Sequence, residues 1–310
     1  MGKVTIVGSY IVALVMDLDR IPVEGETLIG RNYHTTHGGK GSNMAAAVSR
    51  LGGQAIFFGK IGRDAFGEGF LQLLAREKVD ARGVLYSEQL PTAVGFILSS
   101  SRGTNCIVID PAACGDLLPA DVDAHAALIE TADVVLSPLE IPLETALAGA
   151  RRAHAAGKKA ILNPAPAADL RHHDLSAVFA LTPNETEGRV CLGLRPDDPM
   201  YDQEVVRRLL DLGPQHVMLT LGARGVLWGS RDGSMTRVPA LKVNVVDTVG
   251  AGDAFNAGLA VGLSEGRPVL DSVALGVTAA SLSTQKRETI ESYPIRAKVD
   301  ARMDEVLKGI

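Results

Sequence analysis

The sequence has few cysteines and gives them no regular spacing. Its 310 residues include 3 cysteines, Cys106, Cys114 and Cys191. An odd, scattered set argues against a disulfide framework, and no pair has the spacing of a zinc site. The 7 histidines are also dispersed and form no metal-binding set. We therefore expect a reducing, cytoplasmic setting and no metal site built from cysteine or histidine.

Long apolar runs and excess positive charge are also missing. No apolar run reaches the roughly 18 residues of a membrane span. The N-terminal segment lacks the apolar stretch of a signal peptide and is typical of a first strand. With a net charge of −5 and a pI of about 5.8, bulk electrostatics give nucleic-acid binding no help. We expect neither a nucleic-acid nor a membrane partner.

Aromatic residues are scarce, at 4%, although hydrophobic residues make up 46% of the chain. The core must therefore consist mostly of Ala, Val and Leu. Side chains of that size suit helices packed tightly over a parallel sheet better than an all-β sandwich. The composition thus favours an α/β protein.

Short β-branched runs alternate with longer amphipathic stretches. The predicted strands are 4–7, 55–58, 134–136, 160–162, 178–181 and 217–221, and the predicted helices lie near 41–51, 67–77, 143–156 and 203–212. This alternation predicts a Rossmann-like, mostly parallel central sheet flanked by helices. Such sheets bind ligands beyond the carboxyl ends of their strands, so we expect the functional motifs to meet there.

Two stretches break the alternation. Residues 12–37 and 92–110 are rich in β-forming residues and contain no helical pattern. We interpret them as a small sheet inserted into a single domain that spans 1–310. A lid over the active site is one function for such a sheet, and a dimer contact is the other; the two are compatible.

The strongest motif is DTVGAGDAF at 247–255. Its glycines let the backbone of Gly250, Ala251 and Gly252 turn tightly and direct successive N–H groups at one point. A helical pattern follows, whose N-terminus favours an anion. Phosphoryl transfer needs such a site, and Asp253 is placed to accept the proton of an attacking hydroxyl. The alternative is that Asp253 only caps an ordinary helix.

A second glycine-rich motif, GGKGSNMA, occupies 38–45. Its spacing differs from that of a Walker A loop. Glycines such as Gly39 allow the backbone to approach a ligand closely, and Lys40 and Asn43 supply polar groups on the first turn of a helix. This chemistry suits recognition of hydroxyl groups. The alternative is a helix start with a solvated lysine.

A third cluster, TPNETE at 182–187, directly follows a predicted strand. Asn184 and Glu187 are three residues apart and face the same way on a helical turn. Such oxygen ligands can hold a hydrated Mg²⁺, and a helix-capping arrangement is the alternative. Glu140 and Asn163 also follow predicted strands and are lesser candidates for the same edge.

A fourth segment, TLGARG at 220–225, is a strand end that turns through glycines. Thr220, Gly222 and Gly225 could line a nucleotide pocket. A simple hairpin turn is the alternative.

Taken together, the motifs resemble the ribokinase family, also called the phosphofructokinase B family of carbohydrate kinases. The GGKGSN and DTVGAGD blocks occur in the family's order and separation. The likeness extends from Gly8 to Pro294 and includes the segments 22–27, 59–67 and 162–167. It therefore covers almost the whole chain.

This resemblance implies an ATP- and Mg²⁺-dependent kinase acting on a sugar, with a β-sheet lid that often forms a homodimer. It also implies the following roles: Asp253 as catalytic base and the backbone of 250–252 as anion hole, Asn184 and Glu187 at Mg²⁺, Thr220 and Gly222 at the nucleotide, and Gly39, Lys40, Asn43 and Glu140 at the sugar. Asp253 and the anion hole are the centre of this set.

The chain departs from the family where the sugar binds. Ribokinases carry an Asn and an Asp shortly after the first strand, and these grip sugar hydroxyls; the matching positions here are Ile11 and Ala13. Cys114 stands where ribokinases tend to have Asn. A site that loses two hydroxyl partners should bind ribose poorly. The resemblance therefore leaves a deoxygenated or differently substituted sugar, or a nucleoside, as the acceptor.

The family's potassium loop is altered too. It reads KRETIES at 286–292, with Glu288 at a usual glycine. Asp247 and the carbonyl of Val249 could still serve K⁺, so activation by a monovalent cation stays open.

Three alternatives accompany the sugar kinase. A nucleoside kinase on the same scaffold is one, and a ligand-binding protein that has lost turnover is another. The third, a dinucleotide-dependent oxidoreductase, is disfavoured because Gly8 is not followed by the G-x-G-x-x-G turn.

Overall fold

The computed structural model describes residues 2–100 and 104–310, which form two β-sheets and the helices around them. Within those residues the strands are β1 (Lys3–Val7), β2 (Ile11–Leu18), β3 (Arg31–Gly38), β4 (Gln54–Ile61), β5 (Asp80–Tyr86), β6 (Ala93–Ser100), β7 (Asn105–Asp110), β8 (Val134–Pro138), β9 (Lys159–Asn163), β10 (Ala180–Leu181), β11 (His216–Thr220), β12 (Val226–Ser230) and β13 (Met235–Val238). The helices of the same residues are α1 (Lys40–Arg50), α2 (Ala65–Arg76), α3 (Ala112–Gly115), α4 (Pro119–Ala124), α5 (Ala126–Glu130), α6 (Leu143–Ala155), α7 (Glu185–Cys191), α8 (Asp202–Asp211), α9 (Ala251–Ser264), α10 (Val269–Ser283) and α11 (Arg296–Leu307).

The large sheet has the predicted parallel core. Its order is β13-β12-β11-β10-β9-β8-β1-β4-β5, and the described pairs from β11 to β5 are parallel. The strands β12 and β13 extend one edge as antiparallel partners. Successive residues of β1 face opposite sides, so Ile6 packs into one hydrophobic cluster and Val7 into the other. Core on both faces confirms the α/β prediction.

The small sheet has the order β3-β2-β6-β7. Its central pair, β2 and β6, is parallel, and the outer pairs are antiparallel. Its strands come from the two stretches predicted to leave the main sheet, 12–37 and 92–110. Residues 101–103 of the second stretch lie outside the described residues. The predicted small sheet is therefore confirmed for the rest of both stretches.

Small residues let α9 and α10 pack closely against each other. A Cβ atom added at Gly258 on α9 would lie 2.6 Å from the Cα of Gly276 on α10. Real Cβ atoms do not come that close, so glycine at these positions permits the approach. This close approach lets the two helices fill the space between them without large side chains.

Several boundaries differ from the sequence predictions. Of the strand expected at 178–181 only Ala180–Leu181 is strand, and β5, β12 and β13 were not predicted. The helix α10 was also missed, because it is buried on nearly every side and therefore lacks the one-sided periodicity of a surface helix. No helix among the described residues is both long and apolar enough to cross a membrane.

Candidate active site

The glycine turn before α9 is held in a conformation that requires glycine. Gly250 is the N-cap of α9 and has φ +78°. A Cβ atom there would also lie 2.8 Å from the hydroxyl oxygen of Tyr293. The helix begins at Ala251, whereas a cap at Asp253 would require it to begin at Ala254. Asp253 therefore lies in the first turn, and the alternative that it caps the helix is wrong.

The N-terminus of α9 opens into a cleft of about 870 Å³. Ala251 and Gly252 line this cleft, and no heavy atom of the described residues lies within 4 Å of a Cβ built on Gly252, its own helix backbone and chain neighbours aside. The first N–H groups of a helix lack intrahelical partners and carry its positive dipole end. The N–H of Ala251 donates to the carbonyl of Thr248 at 3.2 Å, so the other amides of the turn are the ones that an anion could reach.

Asp253 faces the opposite side of the turn, towards α1. It is only 4% exposed, and its Oδ2 atom accepts a hydrogen bond from Nδ2 of Asn43 at 2.9 Å. Burial raises the pKa of Asp253 to about 6, against the lowering effects of the Lys40 ammonium and the Asn43 bond. At neutral pH the carboxylate is thus ionised but far more basic than an ordinary aspartate.

The start of α1 is fixed from two directions. Gly39, its N-cap, has φ +88°, and a Cβ there would lie 2.7 Å from the backbone nitrogen of Ile11. The Oε2 atom of Glu140 accepts a hydrogen bond from the backbone N–H of Lys40 at 2.7 Å and from the Ser9 hydroxyl at 2.5 Å. Glu140 thus ties the end of β8 to α1, and Ser9, which the sequence analysis did not single out, supports it.

Polar groups with unused bonding capacity surround Asp253. The Asp253 carboxylate raises the pKa of Lys40 above its ordinary value, while burial lowers it and Glu140 and Glu187 raise it further. The Oδ1 atom of Asn43 is buried and has no hydrogen-bond partner among the described residues. A buried acceptor left unpaired is costly, so it suits a ligand hydroxyl.

The Asn184–Glu187 pair forms a capping box at the start of α7. Oδ1 of Asn184 accepts from the backbone N–H of Glu187 at 2.8 Å, and Oε2 of Glu187 accepts from the backbone N–H of Asn184 at 2.8 Å. The capping alternative therefore describes what the pair does here. Burial nevertheless raises the pKa of Glu187, with Lys40 lowering it and Asp253 raising it. This electrostatic link connects the pair to the α9 turn.

The segment after β11 forms one wall of the cleft. Thr220, Gly222 and Gly225 all line it, together with Asn184. Gly222 and Gly225 have φ +55° and +84°, and β11 and β12 pair as a hairpin. The segment is therefore both the hairpin turn and part of the wall of the cleft, so the two alternatives from the sequence do not exclude each other.

A chain of hydrogen-bonded polar side chains supports the turn at Gly250–Gly252. Nδ2 of Asn256 donates to the carbonyl of Gly252 at 2.9 Å, and the Thr182 hydroxyl donates to Oδ1 of Asn256 at 2.7 Å. Nδ2 of Asn163 then donates to the carbonyl of Thr182 at 2.9 Å. The sequence analysis named Asn163 only as a lesser candidate and missed Asn256. The one sequence signal for Asn256 was an amide side chain within a helical stretch of mostly apolar residues.

The loop expected to hold a monovalent cation has an unusual backbone. Oδ1 of Asp247 accepts from the backbone N–H of Val249 at 3.0 Å, and Asp247 itself donates through its backbone to the carbonyl of Thr284. Glu288 has φ +68°, in the left-handed region that favours glycine. The chain keeps the backbone shape of a glycine position with a glutamate in it.

The small sheet brings apolar residues to the α1 side. Ile11 is buried and clusters with Ala93 and Cys114, and Ala13 is buried beside it. The Sγ–H of Cys114 donates to the carbonyl of Tyr10 at 3.2 Å, and burial raises its pKa to about 12. Cys114 is therefore an inert thiol, and Ile11 and Ala13 are buried apolar residues of the small sheet.

Three features of the molecule are typical of an enzyme that handles a phosphorylated ligand. They are a parallel α/β sheet, an open helix N-terminus that faces a large cleft and a buried, basic carboxylate. The model of the pfkB family of carbohydrate kinases matches residues 1–296. The chain belongs to the pfkB carbohydrate kinase family.

Known proteins similar to this chain match it along nearly their full length. The ribokinase of Haemophilus influenzae is 34% identical over 292 residues, covering 94% of this chain and 95% of that protein. The deoxyribokinase of Salmonella typhi is 32% identical over 297 residues, with coverage of 94% and 95%. The structure of Arabidopsis thaliana ribokinase complexed with ribose and ATP has a TM-score of 0.90 at 28% identity and covers 98% of this chain and 99% of that one.

Proposed function

We propose that this enzyme transfers the γ-phosphoryl group of ATP to a hydroxyl of a sugar. The main supporting observation is that the two sides of the α9 N-terminus face different surroundings. Its amides open into the large cleft, while Asp253 points to the polar groups of α1. Donor and acceptor would thus approach the turn from opposite sides, as in-line displacement requires. Family membership supports the same activity.

In this proposal Asp253 orients the acceptor hydroxyl and receives its proton. The hydroxyl oxygen forms a bond to the γ-phosphorus as the bond from that phosphorus to the β,γ-bridging oxygen breaks, and ADP leaves. The backbone N–H groups of Gly250 and Gly252 would stabilise the charge on the moving group, whereas the N–H of Ala251 already donates to the carbonyl of Thr248 at 3.2 Å. Because burial raises the pKa of Asp253 to about 6, the carboxylate is a better base than an ordinary aspartate yet stays ionised at neutral pH.

The residues fit Mg²⁺ that arrives with the nucleotide better than a stand-alone metal site. Among the described residues no group of three or more His, Cys, Asp or Glu side chains could hold a metal ion. The capping box occupies Oδ1 of Asn184 and Oε2 of Glu187 and leaves the second carboxylate oxygen of Glu187 for a hydrated ion. Mg²⁺ keeps several waters and is bound mostly through phosphates. When bound, it would neutralise charge on the phosphates.

For K⁺, we place the site at Asp247 and the carbonyl of Val249. Oδ1 of Asp247 already accepts from the Val249 N–H, and the neighbouring loop carries Glu288 in a left-handed conformation. A cation site with few free oxygens binds weakly, so we expect K⁺ to change the rate little. Comparing rates in K⁺ and in a large organic cation tests this.

The acceptor is proposed to be a sugar with fewer hydroxyls than ribose, such as a 2-deoxypentose. Hydroxyl recognition is available from Lys40, Asn43 and Asp253, whereas Ile11 and Ala13, at the positions where ribokinases carry polar residues, are buried and apolar. An apolar wall does not replace hydrogen-bond partners for a hydroxyl, so the loss should fall on the sugar positions facing it. The similarity to a deoxyribokinase agrees with this choice.

The small sheet is proposed to act as a lid within a single domain and to form a homodimer in the cytoplasm. Phe96 pairs with Leu14 on β2 and with Val108 on β7, so these three side chains share one face. Phe96 is 52% exposed and Val108 63%. A contiguous apolar face of this kind suits a second copy. The free thiols of all three cysteines, which lie in the described residues, fit a reducing compartment.

The experiment is a panel of pentoses, deoxypentoses, hexoses and nucleosides with ATP and Mg²⁺, monitored by ADP release. The proposal expects turnover with a sugar and the highest kcat/KM with a deoxypentose. A nucleoside as best acceptor would replace it with the nucleoside kinase. No turnover with any acceptor, although nucleotide binds, would favour the ligand-binding protein.

A further inference from the structure

A buried tyrosine side chain lies directly beside the turn that begins α9. Tyr293 follows the short 3₁₀ turn Ile290–Ser292 and is only 4% exposed. Its hydroxyl oxygen would lie 2.8 Å from a Cβ atom built on Gly250, and the methyl group of Thr289 approaches the same point. These two side chains therefore occupy the space beside the N-cap of α9 that a larger residue at Gly250 would need.

The hydroxyl of Tyr293 is buried and has no hydrogen-bond partner among the described residues. A buried polar atom without a partner costs free energy, whereas phenylalanine would fill the same space without that cost. Another such atom, Oδ1 of Asn43, belongs to the amide that donates to Asp253. The Tyr293 hydroxyl therefore suits a partner that comes within reach in another state of the enzyme.

The carboxylate of Asp253 is the acceptor that these surroundings favour. Asp253 is the third residue of α9, and a side chain at that position points back towards the N-cap, Gly250. Burial raises the pKa of Tyr293 well above its ordinary value; the charges of Asp253 and Glu291 raise it further, and that of Arg50 lowers it. The phenol thus stays protonated as a hydrogen-bond donor and lies within the electrostatic reach of Asp253.

Asp253 has capacity for a further donor. Its Oδ2 atom accepts from Asn43, and a carboxylate can accept roughly four hydrogen bonds. The charged groups that face Asp253 from the neighbouring elements are Lys40 on α1, Glu140 after β8 and Glu187 on α7. Of these only Lys40 favours the ionised carboxylate, so a neutral donor would add to its effect.

We propose that Tyr293 is a positioning residue for Asp253: in the complex with the acceptor, its hydroxyl donates to the Asp253 carboxylate and holds it against the hydroxyl to be phosphorylated. This rests on the proposed kinase function, in which Asp253 is the base. A carboxylate held in place keeps one oxygen towards the acceptor, which aligns the proton transfer. A hydrogen bond donated to an ionised carboxylate also favours the ionised form.

Tyr293→Phe tests the proposal, because it removes only the hydroxyl. The pH dependence of kcat/KM reports the free enzyme, whereas a single turnover at saturating Mg²⁺–ATP and acceptor reports the complex. The acceptor is 2-deoxyribose, or the sugar that replaces it as best acceptor in the panel. We expect the midpoint of the single-turnover profile to rise by about one pH unit and that of kcat/KM to stay unchanged. The single-turnover rate at pH 8 should fall roughly fivefold.

The matched control is Tyr201→Phe, at an exposed tyrosine that precedes α8, and it should change none of these quantities. A single-turnover profile that does not move in Tyr293→Phe would overturn the proposal. Weaker ATP binding with an unmoved profile would assign the hydroxyl to the phosphate instead. Failure of the kinase proposal is a different result, in which the wild type itself transfers no phosphoryl group.

The stability of the free enzyme gives a second readout that needs no turnover. Because the hydroxyl has no partner there, Tyr293→Phe should keep or raise Tm. A fall in Tm of more than about 2 °C would show that the hydroxyl already has a partner in the free enzyme, and it would overturn the proposal.

Discussion

The two sides of the α9 N-terminus are built from different parts of the chain. The cleft side is lined mainly by backbone, glycine and aliphatic groups, together with the side chains of Asn184, Glu185 and Phe255. On the α1 side, the buried carboxylate of Asp253 lies near the charges of Lys40 and Glu140, which are partly buried. A backbone cradle depends little on side-chain identity, whereas the acceptor pocket is defined by individual side chains. In the proposed function, residues such as Ile11 and Ala13 would therefore change the acceptor while the transfer chemistry stays the same.

The largest effect should come from removing the charge on the α1 side. Asp253→Asn is expected to lower kcat about a thousandfold, because the acceptor hydroxyl loses its orienting base. ADP affinity should change little, since the cleft is intact. A coupled assay and calorimetry measure the two quantities, with Asp211→Asn on the exposed end of α8 as the control. A kcat near that of the wild type would remove Asp253 from its proposed role.

A second effect follows from the pKa of Asp253, which is raised to about 6. The ionised form is the active one, so kcat/KM should be flat above neutrality and fall about tenfold per pH unit below about pH 6. The same shift makes the folded state bind the proton more tightly than the unfolded state. The stability contributed by protonated Asp253 is thus lost as the pH rises through 6, and Asp253→Asn should raise Tm at pH 8 more than at pH 5.

A third prediction adds polar groups on the α1 side, at the positions proposed to face the acceptor, where the first prediction removed one. The double variant Ile11→Asn, Ala13→Asp is expected to shift kcat/KM towards ribose over 2-deoxyribose by about tenfold, because each added group can pair with a hydroxyl. The conservative variant Ile11→Val is the control and should leave the ratio unchanged. A shift towards the deoxy sugar would show that these positions face another part of the acceptor.

The smallest expected change in kcat concerns the side chains that support the turn at Gly250–Gly252. Thr182→Val keeps the shape but removes the hydroxyl that donates to Asn256. We expect kcat to fall by a few-fold with the KM of the sugar unchanged, since Asn256 orients Gly252 and touches no acceptor. Thr182→Ser should restore the rate. An altered KM with an unchanged kcat would argue against this positioning role.

Local patterns in the sequence were sufficient for the alternation of strands and helices and for both glycine motifs. They were insufficient for the Asn163–Thr182–Asn256 chain, because Thr182 and Asn256 lie 74 residues apart and only the fold makes them partners. The same limit applies to α10, whose all-round burial hides its period. For Asn184 and Glu187 the spacing fitted both a cap and a metal site, and the hydrogen bonds reveal the cap.

The central claim is that the backbone turn at 250–252 cradles the moving phosphoryl group. Gly252→Ala tests it, because a methyl group there meets no heavy atom of the described residues within 4 Å, its chain neighbours and own helix backbone aside, and Gly252 lines the cleft in which we propose that the anion binds. The matched control is Gly69→Ala on α2, also a helical glycine with open space. Both variants should keep or raise Tm, since alanine favours a helix over glycine. The account predicts that only Gly252→Ala loses kcat, by at least about tenfold. Full activity in Gly252→Ala would contradict it.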